Sequence, residues 1–142
     1  MSATTFLCSW HENIFIAVHS EENPGATEWT EGVAVWKNRQ SEQACMLVLS
    51  RGGGPNVNQR DELKRATVAG EKHKIPLLTT STAIRLVGTA IKWFIPRTKI
   101  LAPEQIDEAL QFFDLTPASA TAVKAEVARM SEELSRLRTP PA

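Results

Sequence analysis

The stretch CMLVLSRGGGPN, Cys45–Asn56, decides how this chain folds. Cys45–Leu49 is an unbroken apolar run, too short for a helix, and reads as a strand covered on both faces. Ser50-Arg51-Gly52-Gly53-Gly54-Pro55 then turns the chain. Asn56 and Gln59 stand in capping-box relation, so the turn feeds a helix. That helix is predicted from Val57 to about Lys74, with Leu63, Ala66 and Ala69/Gly70 as its apolar side. A strand, a tight turn and a helix in this order form half of a crossover in a parallel sheet.

Upstream, Thr5–Trp10 alternates, with Phe6, Cys8 and Trp10 on one face, and Ile14–His19 alternates too. Two such runs around His11-Glu12-Asn13 predict a β-hairpin. From Ala26 to about Gln43 the period changes: Trp29, Val33 and Trp36 form one helical stripe. Gly32 inside it costs about 1 kcal/mol relative to Ala. Downstream, Pro76–Thr80 is a strand with Pro at its first residue. Ser81 or Thr82 caps a helix through Phe94, striped by Ile84, Val87, Gly88, Ile91 and Phe94 and closed by Pro96. Lys99–Leu101 is a short strand, and Pro103 opens a helix over Glu104–Asp114 with Ile106, Ala109, Leu110 and Phe113 inward.

The sum is an α/β fold: an N-terminal hairpin, β-α-β-α-β crossovers, and a mixed, mostly parallel sheet of about five strands flanked by helices. This domain covers residues 1–115. Residues 116–142 form a C-terminal helix, Pro117–Arg138, and an end at Pro140-Pro141 expected to fray. Ala120, Val123, Val127, Met130, Leu134 and Leu137 step by threes and fours, a heptad stripe suited to docking on its own domain or to a homodimer seam.

The chain has 142 residues, 42% of them hydrophobic and 23% charged, which fits one ordered domain. Sixteen basic residues balance sixteen acidic ones, so a general nucleic-acid binder is not expected. The opening Met1–Thr5 lacks the basic and apolar regions of a signal peptide, and no stretch is long enough to span a membrane. Cys8 and Cys45 read as buried free thiols of a reducing compartment. A cytoplasmic protein is the expectation.

Ligands of open α/β sheets favour the carboxyl ends of the strands, here Ser50–Pro55 and Thr79–Thr82. Three glycines beside Arg51, leading into a helix N-terminus, could admit an anion. The plainer reading is a tight turn with a good cap. The Gly-Lys-Ser/Thr end of a P-loop is missing, and so is the dinucleotide glycine spacing. Cys8-x-x-His11, with His19, His73 and Cys45 elsewhere, does not make a closed zinc set. Ser50 lacks a nucleophile elbow and an assignable base. Neither metal, cofactor nor catalysis is expected, and Glu12, Glu21 and Glu22 read as solvated loop charges. Trp10, Trp29, Trp36 and Trp93 read first as core, with an apolar ligand pocket as the alternative.

The element order, the strand Cys45–Leu49, the capped helix after it and the helix after Thr79-Thr80 resemble the STAS domain, the fold of the anti-sigma factor antagonists. The chain also resembles small bacterial STAS-like or SpoIIAA-like proteins, many of them myxobacterial. Glu28-Trp29, Gly52–Pro55 with Gln59-Arg60, and Ile91–Phe94 with Lys99–Pro103 carry the likeness, over about residues 5–115. It implies a non-catalytic module of protein–protein regulation. The antagonists carry a phosphorylatable serine at the helix start, in an Asp-Ser-Ser-Gly-like motif. Asn56 stands there, after Gly54-Pro55, so that switch does not carry over. The expected interaction surface is Ser50, Arg51, Gly52, Gly53, Gly54, Asn56, Arg60 and Lys64, facing an unidentified protein partner. The alternative is a small-ligand or lipid-binding protein with a tryptophan-lined pocket.

Overall fold

A computed structural model describes residues 4–139. The predicted frayed end at Pro140-Pro141 lies outside the described residues. β1 (Phe6–His11) and β2 (Ile14–His19) form the antiparallel hairpin. Then come α1 (Ala26–Arg39), β3 (Cys45–Ser50), α2 (Val57–Ala66), β4 (Lys74–Thr79), α3 (Thr82–Ile91), β5 (Arg97–Leu101), α4 (Ile106–Phe112) and α5 (Pro117–Arg138). The strands lie in sequence order, β1-β2-β3-β4-β5, with β2 to β5 parallel. The fold is the expected α/β class.

Alternation along the strands splits the core in two. Phe15, Ala17, Met46 and Ile75 face α1, α2 and α3, where they meet Trp29, Val33, Trp36, Leu63 and Ala66. Ile14, Ile16, Val18, Leu47 and Leu78 face the other way, toward Ala109, Leu110 and Phe113 of α4 and Val123, Val127, Met130 and Leu134 of α5. The sheet is thus a middle layer between two helical ones. The heptad stripe of α5 is filled by the chain's own sheet, so it is not a free dimer seam; Leu137 alone of its large members stays exposed. Gly32 repays its helix cost, because any Cβ there would collide with the Phe6 ring.

Boundaries differ from expectation for local reasons. α1 stops at Arg39, and the Gln40 side chain turns to bond the Ala66 carbonyl and the Val68 N–H. α2 stops at Ala66, well before Lys74. Thr67 Oγ1 bonds back to the Leu63 carbonyl (2.7 Å), and Ala69 sits in the left-handed region at φ 56. Strand β4 starts two residues before Pro76, and its recorded ladder to β3 begins only at Val48↔Leu77, after the missing N–H. A 3-10 turn over Pro103–Gln105 replaces the predicted first turn of α4. The capping box is present: Gln59 N–H donates to Asn56 Oδ1 (2.8 Å), and Asn56 N–H donates to Gln59 Oε1 (2.9 Å).

Candidate functional site

The carboxyl ends of the three central strands carry one polar row. Register pairs His19 with Ser50 and Ser50 with Thr79, and alternation puts all three on the side of α1–α3. Thr79 Oγ1 donates to the Ser50 carbonyl at 2.9 Å.

Ser50 is buried, and its hydroxyl serves the turn that follows. Oγ donates to the Gly53 carbonyl (2.6 Å) and accepts from the Gly52 N–H (3.1 Å). Its proton is therefore committed to the backbone, and no imidazole bonds to it. Gly52 takes φ 136, a conformation suited to glycine. A Cβ on Gly53 would collide with the Glu22 carbonyl, while the Gly53 N–H bonds to Ser20 O (2.8 Å). Gly54 N–H bonds to Asn23 Oδ1 (3.1 Å). The glycines let this loop press against the Ser20–Asn23 loop, and the Gly53 and Gly54 N–H groups are used inside the protein, as the reading of a tight turn expects.

The predicted interaction residues part company here. Ser50, Gly53 and Gly54 are buried. Arg51 is exposed, but its guanidinium donates to Ser135 Oγ (2.8 Å) and the Ser131 carbonyl (3.1 Å), which pins α5. Arg60 is half-buried and braces the Pro55 carbonyl (3.1 Å). Asn56 and Lys64 are exposed. Val57, which sequence reasoning passed over, is 62% exposed. Val57, Arg60, Asp61 and Lys64 recur at helical spacing along one side of α2, opposite the buried Gln59, Leu63 and Ala66.

Beneath the loop, between the sheet and α1–α3, lies an apolar cavity of about 70 Å³. Phe6, Trp29, Trp36, Val48, Leu63 and Ile84 are among its walls, and His19 is one of its few polar lining groups. His19 is buried, stacks on Phe6 at 4.8 Å between ring centroids, and has no protein partner for Nδ1. Burial lowers its pKa to about 4, against a smaller upward pull from Glu28, so the ring is neutral at pH 7. Strand alternation is the signal that puts His19 on the same face as Ser50; their pairing comes from the register of β2 with β3.

The tryptophans divide. Trp29 donates to the Gln59 carbonyl (2.9 Å), Trp36 is fully buried, and Trp10 stacks on Trp36 at 5.7 Å. Trp93, expected in the core, is 88% exposed. Its place past the end of α3 puts it opposite that helix's buried stripe. A wider groove of about 820 Å³ runs between β1 and α1. Two of its carboxylates are engaged, Glu22 by Arg138 (2.8 Å) and Glu28 by the Thr5 N–H (2.8 Å).

Cys8 and Cys45 are free and lie on opposite faces of the sheet, which rules out a bridge between them. Burial raises both thiol pKa values. His73 is held between the carbonyls of Ala44 (2.7 Å) and Val68 (2.6 Å). Among the described residues, no three His, Cys, Asp or Glu side chains gather as a metal site, and no helix is long and apolar enough to cross a membrane. Neither a family model, nor a curated protein, nor a solved structure matches the chain.

Proposed function

We propose that the chain is a non-catalytic regulatory protein-interaction module of STAS-like type, and that it meets its partner through the outer side of α2. The observation that carries this reading is a rigid loop ending in an exposed apolar anchor. Ser50, Gly53, Gly54 and Asn56 are satisfied internally, so the start of α2 is already ordered before any partner arrives. Preorganisation of this kind lowers the cost of association. Val57 then stands clear beside Arg60, Asp61 and Lys64, an apolar centre with charges of both signs around it. Arg51 belongs to the support of α5 and is excluded from the contact surface.

Val57→Asp combined with Lys64→Glu tests this on the full chain. Partners captured from a membrane-free lysate of the source cell are identified by mass spectrometry. A protein retained by the wild type should be lost from the variant, while the melting curve stays unchanged. Equal capture by both would sink the reading.

A second reading rests on the unpartnered Nδ1 of His19 in the apolar cavity. A small apolar molecule with one hydrogen-bonding group matches that lining. Cavities of roughly 150 Å³ accept benzene, so at about 70 Å³ this one admits such a molecule only if a covering helix shifts. Benzyl alcohol should raise the melting temperature of the wild type and not of His19→Phe. No rise in the wild type counts against the second reading alone.

A further inference from the structure

We infer that the outer face of α3 docks the protein on an anionic lipid surface. Ile84, Val87 and Ile91 turn inward and line the cavity. On the opposite side, Leu86 is 68% exposed and Trp93, seven residues on, is 88% exposed. They form a ridge along α3 and the turn that ends it. Val68, also 68% exposed, sits on the neighbouring turn, where Gly70 fits directly against the Phe94 backbone. Large side chains so exposed, on adjoining turns, mark a contact surface.

Charge identifies the partner. From Lys72 to Pro103 the chain carries six basic residues and no acidic one. Lys72, Lys74 and Lys99 are paired with Glu42, Asp114 and Glu108. Arg85, Lys92 and Arg97 have no carboxylate within ion-pair distance among the described residues; Glu71 is on the adjoining turn, next to Gly70. Arg85 and Lys92, also seven apart, run beside the Leu86–Trp93 ridge. Conversely, Glu12 to Glu31 holds five acids and no Lys or Arg. The sheet places that acidic segment toward the β1 edge and the basic one toward β5. On α3 and its closing turn Arg85 and Lys92 stand without a carboxylate partner, so an anionic plane would attract that face of a chain of zero formal net charge.

An apolar ridge edged by cations is the pattern of interfacial helices, with the aromatic ring at headgroup depth. Leu86 offers nothing to a base or a phosphate, which favours lipid over nucleic acid. The inference does not depend on the α2 surface.

The test is flotation of the full chain with phosphatidylcholine vesicles, with and without phosphatidylglycerol. Binding is expected only with phosphatidylglycerol and should weaken as salt rises. Trp93→Ala should reduce it about tenfold or more, and Arg85→Gln and Lys92→Gln roughly fivefold each. All three positions are exposed, so melting should not change. Val57→Asp should bind vesicles like the wild type, which separates this result from the fate of the α2 surface. Absence of binding at low salt overturns the inference, as does binding indifferent to Trp93. Retention on a single-stranded oligonucleotide in place of vesicles overturns it too. So does a concentration-dependent dimer abolished by Trp93→Ala.

Discussion

The two faces of the sheet are packed on different terms. Against α4 and α5 the filling is aliphatic: Ile16, Val18, Leu47, Leu78, Val123 and Leu134 are all fully buried. The long helix α5 closes that face along its length and is tied down at its far end by Arg51 and Arg138. Against α1, α2 and α3 the filling is aromatic and polar-tipped, with Phe6, Phe15, Trp29, Trp36 and His19. Three short helices cannot interlock around such large rings as closely, and the cavity remains on this side. One face acts as foundation. The other holds the unpartnered His19 Nδ1, the cavity and both exposed helix surfaces.

The contrast adds to the difference in size and burial between two truncations, one on each face. Leu134→Ala removes a fully buried side chain from the aliphatic face and should cost about 3 kcal/mol. Val48→Ala enlarges an existing cavity beside a half-buried side chain, and should cost only about 1 kcal/mol. Urea unfolding of both variants measures the difference. Equal losses would mean that the two faces are packed alike.

Much of this division is legible in the residues. The alternation of Ile14–His19 and the solid run Cys45–Leu49 require cover on both sides of the sheet. The stripes of α1 and α5 say which helices can supply it. What sequence could not supply is the destination of long polar side chains. Arg51 looks like a ligand-binding cation beside three glycines, yet it reaches α5, which follows more than sixty residues later. Ser50 looks available at a strand end, but its hydroxyl closes the turn that the glycines make. The end of α2 is hidden because nothing in Thr67–Ala69 forbids a helix; the bond of Thr67 back to Leu63 and the tertiary bonds of Gln40 and Trp36 together favour the break. Trp93 reads as core on hydrophobicity, yet a helix continued to it would set it opposite the stripe of Ile84, Val87 and Ile91.

His19 gives the comparison a dependence on pH. Burial holds its folded pKa at about 4, below the usual 6.5, with Glu28 offsetting part of the shift. The unfolded chain takes up the proton near the usual value, and the folded chain resists until much lower pH. Between those limits acid favours the unfolded state. The stabilisation is whole above 6.5 and is lost progressively as pH falls through the folded value. By roughly pH 5 the loss should reach about 2 kcal/mol. His19→Phe keeps a ring against Phe6 and Trp29 and removes the titration. Its unfolding free energy, followed by urea titration at successive pH values, should fall less steeply than that of the wild type in this window. Parallel profiles would mean that protonated His19 finds water or a counter-charge without opening the aromatic face, and the proposed looseness of that face would already be present at neutral pH.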